Sequence, residues 1–227
     1  MKRFECTALL FDLDGVLVDS TAFVEQQWRR WAHAKGLQAE PFLRVCHGRR
    51  AVETIRLAAP QLDAEAEVAA LTPFEDDPSS EILGPLTGAA QLLELLPAES
   101  WAVATSGGRQ LAINRLRRAG LPVPRVLVCA EDVTEGKPSP EAYLLAAHQL
   151  GVPPAQCIVV EDAPAGVQAA HAADMPVIGL TTTHDTQQLA ADACTSSLAM
   201  VHVGRIDRDA QGRQRLEVLV VEVKGEE

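Results

Sequence analysis

Short apolar runs that alternate with helical patterns constrain the fold of this chain more than any other feature of its sequence. After residue 84 the apolar runs lie at 101–104, 126–129, 158–160 and 177–180. They show no alternation of apolar and polar residues, which is typical of parallel strands covered by helices on both faces. The pattern predicts a doubly wound, Rossmann-like α/β core with a parallel sheet. The apolar run at 9–11 is expected to belong to the same sheet.

Residues 20–83 follow a different, helical pattern. Apolar residues recur there at helical spacing, at Val24, Trp28, Trp31 and Ala32 and in shorter pieces at 41–46, 51–59 and 64–71. Two prolines and three acids at 72–80 break the pattern and predict a return linker. Because strands of one sheet precede and follow this segment, we expect residues 20–83 to be a helical insertion. It would be inserted into a core domain made of residues 1–19 and 84–227.

Near the end of the chain, two further apolar segments flank a polar turn. They span 200–206 and 215–223, and the sequence between them is Asp-Arg-Asp-Ala-Gln-Gly-Arg. This arrangement predicts a C-terminal β-hairpin. We expect the hairpin to close one edge of the sheet.

The charge balance and the cysteines narrow the classes of function. The chain has 20 Lys and Arg against 31 Asp and Glu, a net charge of −11, which argues against a diffuse basic surface for nucleic acid or anionic membranes. Its five cysteines are scattered without C-x-x-C spacing, which predicts reduced, mostly buried thiols. A signal-peptide core and a membrane-spanning apolar run are both missing from the sequence. We expect a cytoplasmic protein, a monomer or small homo-oligomer, that binds neither nucleic acid nor a membrane.

Two acids follow the first apolar run at once. Asp12 and Asp14 are two residues apart, and Gly15 comes next. Because side chains in a strand have a period of two, both carboxylates are expected on the same side of the chain, where glycine lets the backbone turn. Acids so close repel each other unless a cation lies between them or one keeps a proton. For this motif alone, a solvated turn is the alternative interpretation.

Polar residues also follow the later strands, at the sheet edge where parallel strands place functional groups. In chain order they are Thr105, Ser106 and Gly107, then Lys137, then Glu161 and Asp162. Hydroxyls and backbone N–H groups suit phosphoryl oxygens, a lysine supplies a point charge, and carboxylates are oxygen ligands that Mg²⁺ prefers. Each motif alone is also compatible with a helix cap, a surface lysine or an acidic turn. Together and in this order they are what magnesium-dependent phosphoryl transfer requires.

The four motifs resemble those of the haloacid dehalogenase superfamily of phosphatases. They are D-L-D-G-V-L-V-D-S at 12–20, T-S-G at 105–107, G-K-P-S-P at 136–140 and E-D-A-P-A-G at 161–166. The helical insertion also matches the small α-helical cap of that family. Together with H-G-R-R at 47–50, the motifs more narrowly resemble the sugar-phosphate and polyol-phosphate phosphatase branch, close to β-phosphoglucomutase.

The resemblance implies a phosphatase that hydrolyses a small phosphorylated metabolite, a sugar or polyol phosphate, through an aspartyl-phosphate. Asp12 would be the nucleophile and Asp14 the general acid and base. The implied cofactor is Mg²⁺, held by Asp12, the backbone carbonyl of Asp14 and Asp162, with Glu161 supporting this set. The residues expected to bind the phosphoryl oxygens are Thr105 and Lys137, which complete the catalytic set, with Ser106 and Gly107 beside them.

The sequence is compatible with more than one role for three residues of the helical insertion and with more than one function. His47, Arg49 and Arg50 are candidates for contacts with the substrate, or else His47 ends a helix and the arginines face solvent. A phosphomutase would need the same core, and a non-catalytic metal- or phosphate-binding regulator would share the fold. Asp14 argues against a dehalogenase, which needs no second acid at that position. The lack of membrane spans argues against a transport ATPase.

Overall fold

The structure is a computed structural model that describes residues 1–75, 83–209 and 211–223. Its strands are β1 Lys2–Cys6, β2 Ala8–Phe11, β3 Trp101–Ala104, β4 Leu127–Val128, β5 Cys157–Glu161, β6 Val177–Leu180, β7 Ala193–Thr195, β8 Val201–Arg208 and β9 Gln214–Val220. Six of them form a parallel sheet in the order β4-β3-β2-β5-β6-β7. The predicted doubly wound α/β core is therefore confirmed.

The helices alternate with the parallel strands or lie between β2 and β3. They are α1 Thr21–Ala34, α2 Glu40–Leu43, α3 Ala51–Ala58, α4 Ala64–Glu75, α5 Ala89–Leu95, α6 Arg109–Arg118, α7 Glu141–Leu150, α8 Pro164–Ala172 and α9 Thr186–Leu189. Over the described part of the chain, every helix is too short or too polar to cross a lipid bilayer. The five cysteines are free thiols, and four of them are buried, as predicted.

Strand β2 lies in the middle of the parallel sheet and is buried on both faces. Leu9 and Phe11 pack into one hydrophobic cluster, whereas Ala8 and Leu10 pack into another. Successive side chains of a strand point to opposite faces, so two separate cores require an apolar residue at every position. This explains why the run showed no alternation in the sequence.

Helices α1 to α4 enclose a third hydrophobic cluster of their own. Trp28, Trp31 and Phe42 form an aromatic group with ring centroids 5.0–5.6 Å apart. Helix α4 continues past its predicted end at residue 71 to Glu75, so the predicted linker begins as helix. Residues 76–80 of that linker lie outside the described residues.

The C-terminal hairpin forms as predicted, but it lies in a second sheet instead of at the edge of the first. Strands β8 and β9 pair with β1 in an antiparallel sheet of order β1-β9-β8. Residues 216–220 alternate between buried and half-buried positions, and Leu216, Val218 and Val220 join the cluster on one face of the parallel sheet. Alternation gives this sheet one apolar face, which it buries by packing on the core.

Because the hairpin completes the core, we expect Leu216→Ala to destabilise the protein. Leu216 is fully buried, and removing a buried leucine side chain costs about 2–5 kcal/mol. Urea denaturation followed by circular dichroism would measure the loss. Glu217→Gln is the matched control, since Glu217 points to the other face and its free-energy change should stay within about 0.5 kcal/mol. Equal stabilities of L216A and E217Q would contradict this role.

Candidate active site

The residues that follow three neighbouring strands lie side by side at one edge of the parallel sheet. Strand β2 pairs with β3 on one side and with β5 on the other. The ladders continue one residue further, since the Asp12 amide donates to Val160 at 3.0 Å and the Thr105 amide to Val128 at 2.9 Å. Register thus brings Asp12 next to Thr105 and the end of β5, as the sequence predicted.

A buried lysine connects two of these acids. Lys137 is 1% exposed, and its Nζ lies 2.5 Å from Asp12 Oδ1 and 2.6 Å from Glu161 Oε1. Both carboxylates are themselves buried. Charge-assisted hydrogen bonds of this length in a buried setting are strong, so the ammonium fixes both acids in place.

Both carboxylate oxygens of Glu161 accept further hydrogen bonds. Tyr143 donates its hydroxyl to Glu161 Oε1 at 2.8 Å, and the amides of Asp162 and Ala163 donate to Oε2 at 2.9 and 3.0 Å. Gly166, in the first turn of α8, lies so close that a methyl group there would be 1.6 Å from Glu161 Oε1. These contacts make Glu161 a rigid support for Lys137 rather than a mobile ligand.

The electrostatics of the cluster are dominated by burial. Burial raises the pKa of Asp12 to about 7, although Lys137 opposes the shift. Burial, with the nearby Glu161 and Asp12 charges, also raises the pKa of Asp162 well above its usual range. For Lys137, burial lowers the pKa, but the attraction of Asp12 and Glu161 outweighs it, so the pKa of this lysine lies well above its ordinary value. The ionised forms of Asp12 and Asp162 are therefore destabilised, whereas the charged form of Lys137 is stabilised.

The donor set fits a divalent cation that prefers oxygen ligands. Asp162 is buried, and its Oδ2 has no hydrogen-bond partner among the described residues. That oxygen lies 2.2 Å from where a side chain on Gly15 would begin, beside the loop that carries Asp14, and Gly15 has a φ of +77°. Within the described ranges, no three His, Cys, Asp or Glu side chains surround a common metal position. Mg²⁺ is commonly held by one or two carboxylates, with water and substrate phosphate completing the shell, so this set is sufficient.

Asp14 is held by partners different from those of Asp12. Ser20 donates its hydroxyl to Asp14 Oδ1 at 2.6 Å, and Arg115 of α6 forms an ion pair with Asp14 Oδ2 through Nη1. Both acids line the same cavity, as the strand period predicted. They are not paired with each other, because each has its own cationic partner.

The cavity lies between the sheet edge and the helices α1 to α4, and its volume is about 520 Å³. Asp12, Asp14, Thr105, Ser106 and Gly107 line its core side. The helical side contributes polar and basic side chains together with apolar ones, the apolar ones including Val24, Trp28, Val52, Val68 and Leu71. The site thus has a polar floor and a roof that mixes apolar and basic side chains, with room for a small metabolite.

His47, Arg49 and Arg50 also line this cavity, and contacts with the core hold them there. Arg50 donates to the carbonyls of Val133 and Thr134 at 3.1 and 2.9 Å. Arg49 Nη1 lies 3.4 Å from the Lys137 carbonyl. The side chains of both arginines thus bridge to the core loop that carries Lys137 instead of facing open solvent.

His47 has contacts different from those of the two arginines. Its Nε2 lies 3.6 Å from Glu25 Oε1, and its ring makes an edge-on contact with His184 at 6.1 Å between centroids. Burial lowers the pKa of His47, although Glu25 opposes the shift. His47 therefore lies at the junction of α1, the helical segment and the core.

Sequence reasoning missed several residues that complete the site. Arg115 and Tyr143 lie on the buried faces of α6 and α7, and Thr183 donates to the Asp162 carbonyl at 2.5 Å. Glu53 accepts from the Gly136 amide at 2.8 Å and thereby joins α3 to the lysine loop. A charged residue on an apolar helix face was a usable signal for Arg115, since Ala112 and Leu116 share its face.

Comparison with known proteins identifies the family of this chain. A family model for haloacid dehalogenase-like hydrolases matches residues 6–174. The chain belongs to this family. This hydrolase is 43% identical to hexitol phosphatase A of Escherichia coli over 189 residues, covering 81% of this chain and 87% of that protein. It is 36% identical to glycerol-1-phosphate phosphohydrolase 2 of Saccharomyces cerevisiae, covering 82% and 79%.

A solved structure also resembles this hydrolase. β-Phosphoglucomutase from Clostridium difficile superposes with a TM-score of 0.68 at 26% identity, and the match covers 85% of this chain and 92% of that one. The predicted family, fold and class of enzyme, a phosphoric monoester hydrolase, are therefore confirmed. The roles of individual residues stay predictions.

The tight contact at Gly166 gives a test of the support around Glu161. Gly166→Ala would push the Glu161 carboxylate away from Lys137, and overpacking of this kind costs about 1–3 kcal/mol. We expect a lower melting temperature and a loss of phosphatase turnover of at least about tenfold, since small misplacements in active sites are expensive. Gly84→Ala is the control, because a methyl group there meets no atom of the described residues within 4 Å. Wild-type turnover in G166A would show that Glu161 does not position Lys137.

Proposed function

We propose that this hydrolase is a magnesium-dependent phosphatase that acts on a small sugar or polyol phosphate through an aspartyl-phosphate on Asp12. One observation carries the proposal. The Asp12 carboxylate lies at the floor of the cavity, bonded to the buried Lys137 and close in the fold to a buried acid, Asp162, which has an oxygen without a hydrogen-bond partner among the described residues. The names of the relatives, which include a hexitol phosphatase and a glycerol-1-phosphate phosphohydrolase, support this choice of substrate class.

In the first half of the reaction, a carboxylate oxygen of Asp12 attacks phosphorus. The bond from phosphorus to the sugar or polyol oxygen breaks, and that oxygen takes the proton carried by Asp14 and leaves as an alcohol. Thr105 lines the cavity and Lys137 is bonded to Asp12, so both would donate to the transferring phosphoryl oxygens, whose charge shifts during transfer. The products of this half are the free alcohol, phosphorylated Asp12 and ionised Asp14.

In the second half, a water molecule attacks the phosphorus of the aspartyl-phosphate. Asp14 accepts the water proton, the bond between Asp12 and phosphorus breaks, and inorganic phosphate leaves. Asp12 is again ionised and Asp14 again carries a proton, so the cycle is balanced. When bound, Mg²⁺ would neutralise charge on the phosphoryl group and on the acids. Asp12, the Asp14 carbonyl and Asp162 would hold it, with Glu161 supporting them.

We further propose that residues 20–83 act as the cap domain of this enzyme, with residues 1–19 and 84–227 as its core. The third hydrophobic cluster gives the helical segment an interior of its own. The apolar side chains of its cavity lining would exclude water from the phosphoryl group. The bridges made by Arg49 and Arg50 would hold the cap against the core.

A phosphomutase is the second candidate, because β-phosphoglucomutase resembles this chain over nearly its whole length. A mutase would return the phosphoryl group to a second hydroxyl of the sugar instead of to water. Both enzymes would use the same core residues. The fate of the phosphoryl group therefore separates them.

The proposal is tested by measuring phosphate release with Mg²⁺ from a hexitol phosphate, glycerol 1-phosphate, glucose 6-phosphate and phosphoglycolate. We expect turnover on at least one polyol or sugar phosphate and a loss of at least about 10³-fold in Asp12→Asn, since that variant lacks the nucleophile. Isomerisation of β-glucose 1-phosphate without phosphate release would instead favour the mutase. A wild-type protein inactive on the whole panel would favour a regulator, and an active D12N would refute the nucleophile.

Magnesium binding can be tested without turnover. A ligand present at 100 times its dissociation constant stabilises a protein by about 2.7 kcal/mol, so we expect Mg²⁺ to raise the melting temperature. In Asp162→Asn the shift should shrink or vanish, because the neutral amide is a poorer Mg²⁺ ligand than a carboxylate. Asp174→Asn, an exposed acid away from the site, should keep the full shift. An undiminished shift in D162N would remove Asp162 from the metal site.

A further inference from the structure

Arg115 occupies a position where an arginine is unusual. It lies in the middle of α6, is 5% exposed, and shares the buried face of the helix with Ala112 and Leu116. Its guanidinium carbon lies 5.9 Å from the centre of the Phe23 ring of α1. Its Nε has no hydrogen-bond partner among the residues that the structure describes.

Packing alone does not account for an arginine at this place. Arginine is almost never fully buried unless it is paired, and an unpartnered buried donor is costly. Replacing buried ionic groups by apolar residues of similar volume is often neutral or stabilising. The chain nevertheless keeps a cation here, and its partner is an acid of the active site.

The contacts of Asp14 define what this cation does. Nη1 of Arg115 donates to Oδ2 of Asp14, while the Ser20 hydroxyl contacts Oδ1 at 2.6 Å. Both carboxylate oxygens are therefore held, which restricts the side chain to one rotamer. Ser20 is itself buried, so neither partner gives way easily.

We propose that Arg115 is a positioning residue of the phosphatase reaction, which anchors Oδ2 of Asp14 and, together with Ser20, holds the Asp14 carboxyl group in one orientation at the wall of the cavity. This inference rests on the proposed function. Arg115 itself neither accepts nor releases a proton. Lys137 forms an ion pair with Asp12, and Arg115 forms one with Asp14. The nucleophile and the proton carrier are therefore held by separate cations.

The test compares two phosphate esters that differ in their need for a proton. The leaving group of an alkyl phosphate such as mannitol 1-phosphate is a basic alkoxide, which needs a proton. The leaving group of p-nitrophenyl phosphate is a stable phenolate, which does not. The ratio kcat/KM reports steps up to departure of the alcohol or phenol. In Arg115→Met we expect kcat/KM to fall about 10- to 100-fold on the alkyl ester and far less on the aryl ester. Arg115→Lys should retain part of the activity, since lysine keeps the charge but loses the planar fork.

Two controls separate positioning from folding. Arg117→Met changes an exposed arginine of the same helix and should match the wild type on both esters. A melting temperature of R115M near that of the wild type would show that the fold is intact. If R115M were merely misfolded, both esters would lose activity in the same proportion, and that result would overturn the proposal.

A double-mutant cycle tests whether Arg115 acts through Asp14. If it does, Arg115→Met added to Asp14→Asn should cause no further loss on the alkyl ester. Losses that multiply in the double variant would overturn the inference. A wild-type enzyme without magnesium-dependent phosphatase activity would refute the proposed function instead, whereas an active wild type with unaffected R115M would refute the role of Arg115 alone.

Discussion

The ammonium of Lys137 is the interaction on which the site depends. Asp12, Glu161 and Asp162 are all buried, and acids at such density are unstable without compensating charge. Lys137 bonds to two of them and thereby ties together three segments that are far apart in the sequence. The order of the parallel strands makes this possible, since β2 and β5 are neighbours and their ends carry the acids. The fold thus brings the acids together, and the ammonium of Lys137 compensates much of their negative charge.

The loop that carries Lys137 is also where the helical segment touches the core. Arg50 and Glu53 contact this loop through its backbone, at Val133, Thr134 and Gly136. The position of the roof and the position of the ammonium are therefore linked through one short stretch of chain. If residues 20–83 act as the proposed cap, its closure over a substrate would be coupled to the position of Lys137.

Much of this architecture could be predicted because it follows from local patterns. Unalternated apolar runs indicated strands buried on both faces, and the residues after them converged at one sheet edge, as parallel topology requires. Arg115 and Tyr143 escaped prediction because their partners, Asp14 and Glu161, come from other elements of the chain. The contacts of Arg50 with the carbonyls of Val133 and Thr134 could not be predicted either, because these residues are distant in the sequence. Strand β1 was missed because the strand with which it pairs, β9, lies at the opposite end of the sequence.

That last pairing has a consequence for how the protein is made. Strand β1 lies against β9, with Lys2 opposite Val220, so the second sheet unites the first and last strands. A ribosome releases β1 early, whereas β9 is synthesised only after β2 to β8. The native partner of β1 is therefore missing until the chain has been extended through residue 220, and the nascent strand carries an unsatisfied edge until then.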